Sequence, residues 1–441
     1  MADYTTALEK ETVRKVMIRI IPFAFLMYII TYLDRINLSY AALQMNKDLA
    51  LSGGAFGFAS GIFFGGYFIF EVPSNILMQR FGARIWIARI LLSMGIVSVI
   101  SGFVHNATQL YVCRFILGVA EAGFFPGIIF YFTYWFRSQE RATAMSLFVV
   151  GMPLALFLGG PISTLIMDNV HALGLAGWRW MLILEGLPLI IGGIATYFYW
   201  TSTPEDAKWL TSDEKHWLIS TIKQEYESKN LKHLGALKAI LEPKVLYLST
   251  VFFLCLTGTL GIVFWLPQII RGFSKTFTNT QVGMITTIPY LVASIVMIYW
   301  SRHSDRKGER RLHAAVPLLV AALGLFCSSI TNNLVLALVF ITIALSGIYS
   351  FKSPFFALPT LFLSQTTFAV SFATINSVGN LGGFAGPSIV GMIKDIGGIK
   401  ASLTCLSCLL FIAFLMVLFI RLDREVIVRE DRQAVGHKTP S

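Results

Sequence analysis

A short charged loop reads DRKGER at residues 305–310, and a related loop, QRFGAR, occurs much earlier in the chain at 79–84. The separation between Gly82 and Gly308 of these loops equals the separation between Pro161, in the motif GGP, and Pro387, in the motif AGP. Two unrelated motifs that recur at one spacing indicate an internal duplication and not a chance match. The sequence therefore predicts that the chain is built from two repeats.

The segments that flank these loops are long and apolar. Of the 441 residues, 55% are hydrophobic and only 13% are charged, whereas a soluble domain carries roughly 25% charged residues. Apolar runs of about 20 residues predict membrane-spanning helices, and the alternative of a buried soluble core requires shorter helices with polar faces. The sequence predicts twelve spans, numbered here in chain order: 17–43, 55–79, 84–104, 107–136, 142–167, 179–200, 245–270, 281–301, 312–330, 334–361, 367–393 and 401–421.

Positive charges are distributed unevenly between the two ends of these spans. If the N-terminus is cytoplasmic, the cytoplasmic segments hold 25 of the 35 Lys and Arg, and the opposite face holds six. This positive-inside bias predicts that both termini lie in the cytoplasm. It also explains the net charge of +11 without a nucleic-acid partner. The first apolar run has no small-residue cleavage site, so a cleaved signal peptide is not expected.

A polar segment divides the spans six and six. We expect an N-terminal half over 1–200, a cytoplasmic central loop over 201–244, a C-terminal half over 245–421 and a cytoplasmic tail over 422–441. Within the loop, TSDE at 211–214 is typical of a capping box that opens an amphipathic helix. An offset of six spans preserves orientation, so the repeats should be parallel and related by an axis along the membrane normal.

Six further motifs accompany the two loops: YLDRINLSYA, EVPSN, RFGARIWIAR, RFILGVAEAGFFPG, GWRWMLILEGLP and NSVGNLGGFAGP. DRKGER is similar to the loop motif of the major facilitator superfamily, and QRFGAR is a degenerate copy with Gln79 where the family usually has aspartate. Over residues 15–421 the chain resembles the anion:cation symporter branch, which includes permeases for tartrate, galactonate, 4-hydroxyphenylacetate, phthalate and nicotinate. The resemblance implies an all-α membrane fold of twelve transmembrane helices in two parallel pseudo-repeats of six.

Two of the spans carry pairs of charged residues. Span 1 contains Asp34 and Arg35, and span 4 contains Arg114 and Glu121. A charge at the centre of a bilayer costs about 2.5–3.5 kcal/mol or more, so these side chains should face a wet cavity or partners on other helices. Counted from the predicted span ends, Asp34 and Arg114 lie in the same outer third of the membrane, and we expect them to pair. Arg35 then points about 100° away and remains for another partner.

The arginine that remains is suited to an anion. A guanidinium fork matches a carboxylate with two hydrogen bonds, so we expect Arg35 to bind a substrate carboxylate. The resemblance to galactonate-type symporters implies matching roles, with Asp34 and Glu121 as proton sites and Arg114 as the partner of Asp34. A substrate anion that occupies Arg35 weakens its hold on these carboxylates, so anion binding and protonation favour each other. A purely structural ion-pair network is the alternative.

Four other residues are weaker candidates for the substrate pocket. Tyr32 and Tyr67 match polar pocket positions of the branch, although helix packing or interface anchoring explains them equally well. Asn380, in GNLGG, matches a branch asparagine that contacts substrate. Lys352 either extends along its stem toward the membrane surface or meets a second substrate carboxylate.

The cytoplasmic loops are expected to act in gating. DRKGER is interpreted as a charge latch of the outward-open state, and a glutamate two residues before Pro73 is expected in the cytoplasmic gate. The gating candidates are Glu71, Arg80, Gly82, Asp305, Arg306 and Gly308.

The two repeats differ in their chemistry. At the separation of the repeats, the four charged positions of spans 1 and 4 correspond to the uncharged residues Leu260, Gly261, Phe340 and Gly347. The C-terminal half instead offers phenylalanines such as Phe355 and Phe356. This composition favours an aromatic monocarboxylate or a small dicarboxylate.

These patterns predict a secondary active transporter. It should import a small organic carboxylate with one or more protons by alternating access, as a monomer in the cell inner membrane. Anion exchange or uniport by the same fold is one alternative, and a membrane sensor that binds an organic acid without transporting it is another. An enzyme is not expected, because no nucleophile–base set or metal cluster shares one depth, and neither a cofactor nor a metal is predicted.

Overall fold

The computed structural model of the chain describes residues 2–228, 240–274, 276–359 and 365–420. All regular secondary structure in these ranges is helical. This is the expected solution in hydrocarbon, where a spanning segment must satisfy its own backbone N–H and C=O groups. The predicted tail over 422–441 lies outside the described residues, as does part of the predicted central loop.

The helices follow the predicted spans. The first six spans are formed by Ala2–Asp48, Gly53–Phe81, Ala83–Ser101, Ala107–Glu121 with Phe124–Trp135, Ser138–Val149 with Gly151–Asn169, and Gly177–Tyr199. Spans 7 to 10 are formed by Pro243–Phe273, Asn279–Lys307, Arg311–Ile330 and Leu334–Ala357, and spans 11 and 12 are formed by Gln365–Asn380 together with Gly382–Leu418. A short 3₁₀ turn at Ala172–Gly174 lies between spans 5 and 6, and a second turn at Pro204–Asp206 and the helix Ser212–Ser228 lie between spans 6 and 7.

Eleven helical stretches are long and apolar enough to cross a membrane. The last of them contains two spans, because the backbone leaves the helical conformation at Gly398, where φ is 75° and ψ is 176°. The prediction of twelve spans is therefore confirmed.

Two departures from the predicted spans bear on the site. The helix of span 1 continues to Asp48, five residues past its predicted end. Span 4 is broken after Glu121, where Ala122 adopts an extended ψ of 126° and Gly123 has a φ of 88°. Such a left-handed residue favours glycine, since a side chain would be strained there.

The predicted capping box at 211–214 is confirmed. The Thr211 N–H donates to Glu214 Oε2 at 2.8 Å, and the Glu214 N–H donates to Thr211 Oγ1 at 3.3 Å. Glu214 is buried and also accepts a hydrogen bond from Lys15 Nζ at 2.6 Å. The amphipathic helix Ser212–Ser228 is thereby attached to the start of span 1.

Contacts group the chain into two compact units. Unit 1 consists of Met1–Asn37, Gly65–Gly159 and Val170–Leu231. At one end of it, the ring of Tyr131 stacks on Trp200 with centroids 4.5 Å apart. The Tyr131 hydroxyl donates a hydrogen bond to the backbone oxygen of Thr201, the residue after Trp200, at 2.8 Å. Span 4 is therefore attached to the start of the central loop.

Unit 2 consists of Leu38–Phe64, Gly160–Asn169 and Lys232–Ser441. Two aspartates within it cap the N-termini of spans 2 and 8. Asp395 accepts hydrogen bonds from the N–H groups of Gly53 and Gly54, both at 2.7 Å. Asp168 accepts one from the N–H of Thr280, also at 2.7 Å, and one from Asn279 Nδ2 at 2.6 Å. Carboxylates at these positions satisfy exposed donors and oppose the positive end of the helix dipole.

These two caps follow the repeat. The separation that relates the two charged loops also relates Gly53 to Asn279 and Gly54 to Thr280, so equivalent helix starts each bind an aspartate, although Asp168 corresponds to Lys394 and not to Asp395. The two charged loops also match, since Gly82 and Gly308 have φ values of 83° and 71°. The internal duplication is thus visible in local backbone geometry as well as in the motifs. The exact division into halves at 201–244 stays a prediction.

The contact between Glu214 and Lys15 predicts that the docking of the helix Ser212–Ser228 depends on pH. Burial by itself raises the pKa of Glu214, but hydrogen bonds from Lys15 and the Thr211 N–H outweigh it and hold this pKa below the usual range. The carboxylate therefore stabilises the docked helix above pH of about 4.3, and this contribution is lost as the pH falls through the lowered pKa. The protection factors of the amides in Ser212–Ser228, which correct for the intrinsic slowing of exchange in acid, should therefore fall on acidification in detergent.

Two substitutions test this expectation. Glu214→Gln should show low protection factors in this helix already at neutral pH and little further loss in acid, because the titrating group is gone. Asp213→Asn is the matched control, since Asp213 is exposed in the same helical turn, and it should keep the wild-type profile. An unchanged acid response in Glu214→Gln would contradict the assignment.

Candidate functional site

The candidate site is built around an ion pair in unit 1. Arg35 Nη2, on span 1, donates to Glu121 Oε1, on span 4. The Glu121 side chain is only 1% exposed, whereas that of Arg35 is 20% exposed. A buried carboxylate without a counter-charge would be strongly destabilising. The guanidinium neutralises it and still has a face that an incoming anion can reach.

The pairing follows from the true length of span 1. Because its helix continues to Asp48, Arg35 lies about 20 Å from that end at 1.5 Å per residue. Glu121 lies about 21 Å from Ala107, where span 4 begins. The two side chains therefore reach similar depths. The sequence-based depth was counted from residue 17, the predicted start of span 1, which placed Asp34 in the outer third beside Arg114 and left Arg35 without a protein partner.

Two tyrosines flank the arginine. The guanidinium carbon of Arg35 lies 5.4 Å from the ring centre of Tyr32 and 5.6 Å from that of Tyr67. Both rings are buried, and at these distances their faces attract the cation. The structure thus brings together four residues that the sequence analysis singled out, Tyr32, Arg35, Tyr67 and Glu121.

Asp34 has a separate environment. It is buried and accepts hydrogen bonds from Ser98, on span 3, and from Asn37 Nδ2 at 3.2 Å. The sequence analysis missed both donors. Asn37 could have been found, because a residue three positions later lies on the same helix face, but nothing in the sequence singles out Ser98. Arg114 is buried in the same unit, and its predicted pairing with Asp34 stays a prediction.

Glu121 lies directly before the break in span 4. It is the last residue of the first helix of that span, directly before Ala122 and Gly123. Discontinuous helices expose backbone dipoles at mid-membrane and are a recurrent feature of transport sites. The motif RFILGVAEAGFFPG contains the glycine that allows this break, but its periodicity predicts one continuous helix.

Lys352 and Asn380 belong to unit 2. Lys352 Nζ lies 4.8 Å from the ring centre of Tyr349 on the same helix. Nearby, the ring of Phe252 lies 5.5 Å from that of Phe355 and 4.9 Å from that of Phe356, so aromatic surface surrounds this part of span 10. Asn380 is the last residue of the helix Gln365–Asn380, at a break in span 11.

The gating candidates lie at several places. Glu71 is buried on span 2, one turn after Tyr67. Arg80 lies 5.7 Å from the ring centre of the neighbouring Phe81. In the second loop Asp305 pairs with Arg310 at 2.7 Å.

Two other gating candidates, Gly82 and Gly308, form the left-handed turns of the two loops, and Arg306 is exposed. A role of any of these residues in gating stays a prediction.

Comparisons with known proteins identify the family. The model of the Major Facilitator Superfamily matches residues 24–387 and 274–440. A relative from Agrobacterium vitis, whose name refers to tartrate transport, is 45% identical over 391 residues, which is 89% of this chain and 90% of the relative. NicT of Pseudomonas putida, named for metabolite transport, is 39% identical and covers 90% of this chain and 93% of its own length.

One further relative and two solved structures also resemble this chain. The inner membrane transport protein RhmT of Escherichia coli is 33% identical over 95% of this chain and 97% of the relative. The inward-open xylose transporter XylE from Escherichia coli superposes with a TM-score of 0.74 at 14% identity, over 94% of this chain and 99% of that one. A bacterial homologue of the lysosomal transporter Spinster superposes with a TM-score of 0.76 at 15% identity, over 97% of this chain and 99% of that one. At these identities the structures show the fold alone.

The relatives agree with the anion:cation symporter branch that the motifs resemble. Proteins of this family are transporters, not enzymes, and the relatives are bacterial. With its twelve apolar spans the protein is a multi-pass inner-membrane transporter. The chain belongs to the major facilitator superfamily.

Proposed function

We propose that the protein imports a small organic carboxylate together with one or more protons, by alternating access. The observation that carries this proposal is the buried ion pair of Arg35 and Glu121. The guanidinium is the group best suited to a substrate carboxylate, and Glu121 occupies it when no substrate is present. Substrate and Glu121 therefore compete for one cation.

This competition couples the anion to a proton. If the substrate carboxylate displaces Glu121 from Arg35, two negative charges share one positive charge in a poorly solvated site, which is costly. Protonation of Glu121 removes one of the negative charges and frees the guanidinium for the substrate. Each event therefore makes the other more favourable, and linkage of this kind is reciprocal.

Asp34 is a second candidate proton site. Its hydrogen bonds from Ser98 and Asn37 come from neutral donors, which stabilise its charge without cancelling it. The carboxyl group can therefore gain a proton without breaking an ion pair with Arg35. We propose that Arg114 assists this site, as the resemblance implies.

The substrate class follows from the relatives and from the side chains around Arg35. Relatives named for tartrate transport favour a small dicarboxylate for this chain as well. Tyr32 and Tyr67 offer hydroxyl groups beside the guanidinium, which suits a short acid with hydroxyl substituents. Lys352 is the residue we propose for a second carboxylate.

Glu121→Gln tests the coupling. In proteoliposomes with an acidic exterior, the wild type should accumulate a labelled acid from a panel that includes tartrate and aromatic monocarboxylates. Glu121→Gln mimics the protonated carboxyl group, so exchange of labelled for unlabelled substrate should persist while accumulation driven by the pH gradient disappears. The empty carrier can no longer release its proton.

The two assays must be made on one preparation. Loss of exchange, accumulation and expression together would indicate a structural role of the ion pair. Gradient-driven accumulation that persists in Glu121→Gln would exclude this residue as the proton carrier. A wild type that exchanges substrate but ignores the pH gradient would be an anion exchanger, and one that transports no acid of the panel would contradict the proposal.

Arg35→Lys tests the substrate contact. Lysine keeps the charge but replaces a two-pronged donor by a point charge, so the apparent affinity should fall by about tenfold or more, as expected for loss of a charged hydrogen bond. Expression and membrane insertion should survive, because Glu121 keeps a cationic partner. Arg84→Lys, at the start of span 3, is the matched control, and near-normal affinity in Arg35→Lys would show that Arg35 does not hold the carboxylate.

Lys352→Met tests the number of substrate carboxylates. If this lysine meets a second carboxylate, its loss should weaken uptake of a dicarboxylate by about tenfold or more while a monocarboxylate is affected little. Competition of both acids against one labelled substrate gives the comparison. Equal losses for the two acids would assign Lys352 to packing.

A further inference from the structure

Arg89 is a charged residue of span 3 that the proposed mechanism does not use. It is half-buried, and its Nε atom is buried without a hydrogen-bond partner among the described residues. It lies about 9 Å along the helix from Ala83, where span 3 begins. A cation within a span is costly unless it interacts with something.

The guanidinium of Arg89 reaches the break in span 4. Its Nη1 donates to the backbone oxygen of Ala120 at 3.5 Å, in the last turn of the helix Ala107–Glu121. The final carbonyl groups of a helix lack partners within it, and the helix dipole places partial negative charge there. A cation at this point stabilises a helix end that lies inside the membrane.

Trp86 holds the arginine in place. The guanidinium carbon of Arg89 lies 4.1 Å from the Trp86 ring centre, which is a close cation–π contact. The indole Nε1 of Trp86 donates to Ser74 Oγ on span 2 at 2.9 Å. One tryptophan therefore connects Arg89 to a buried serine of another span.

Ser74 supports the other side of the break. A Cβ atom added to Gly123 would lie 2.5 Å from Ser74 Oγ and 2.9 Å from Ser74 Cβ. Only glycine fits at this distance, and its φ of 88° favours glycine as well. Spans 2 and 4 therefore meet at the residue where the chain turns, two positions after Glu121.

We propose that Arg89, Trp86 and Ser74 position Glu121 by holding the break of span 4 from both sides. Arg89 contacts the chain one residue before Glu121, and Ser74 contacts it two residues after. This set of three residues, which we call the brace, keeps the Glu121 carboxylate directed at Arg35. The inference deepens the proposed function and rests on it where it concerns transport.

A double-mutant comparison tests the brace. Arg89→Met should lower gradient-driven accumulation by about tenfold, and Arg89→Lys should recover part of it because the positive charge is retained. In the Glu121→Gln background, Arg89→Met should change exchange less than about twofold, since the carboxylate that it positions is absent. If Arg89→Met lowered exchange by the same factor in the wild-type and the Glu121→Gln backgrounds, the proposal would be overturned and Arg89 would be assigned to general stability.

A measurement without transport keeps the two proposals distinguishable. Amide hydrogen exchange at residues 118–124 should accelerate at least about fivefold in Arg89→Met, because the helix end is released. Arg84→Gln, which removes a cation from the same span, should leave it unchanged. Trp86→Phe should fall between the two, since it keeps the ring beside Arg89 but loses the hydrogen bond to Ser74. Unaltered exchange in Arg89→Met would overturn the brace even if Glu121→Gln behaves as the proposed function requires.

Discussion

The neutralisation of Glu121 is the constraint on which the site depends. A carboxylate that is 1% exposed within a membrane protein must have a counter-charge or a proton. Arg35 supplies the counter-charge, and the same requirement explains why losing either partner has consequences beyond one contact. In the proposed mechanism, a group that takes Arg35 away leaves the buried carboxylate in need of a proton. The proposed coupling then follows from electrostatics at the site itself.

The helix of span 4 is interrupted next to Glu121, and the interruption leaves backbone groups without partners in the helix. The first helix of span 4 ends at Glu121, and the aromatic segment Phe124–Trp135 continues the span after the break. The break at Ala122 and Gly123 leaves helix-end groups inside the protein, where each needs a partner. Arg89 donates to one of these groups, the backbone oxygen of Ala120, and Ser74 lies so close to Gly123 that a side chain there would not fit. In the proposed brace, these contacts hold the chain on both sides of Glu121.

The two repeats share local solutions but differ in chemistry. Equivalent helix starts in spans 2 and 8 are capped by Asp395 and Asp168, and equivalent loops turn on Gly82 and Gly308. These features meet similar backbone requirements in both repeats. The ion pair has no such counterpart, because the positions of the second repeat that correspond to its two members are Gly261 and Gly347. The two repeats therefore share local backbone geometry, while this ion pair belongs to the first alone.

The sequence by itself determined the membrane class, the twelve spans, the repeat, the capping box at Thr211 and most of the residues around Arg35. Each of these depends on local composition or on a spacing along the chain. Only the tertiary structure decided that Arg35 pairs with Glu121, that Ser98 contacts Asp34 and that Arg89 reaches Ala120. Pairing between spans depends on helix ends and on depth, and an apolar stretch defines its own end only to within a few residues. A depth counted from a misplaced helix end is wrong by about 1.5 Å for every residue of the error, so an error of a few residues is enough to give a side chain the wrong partner.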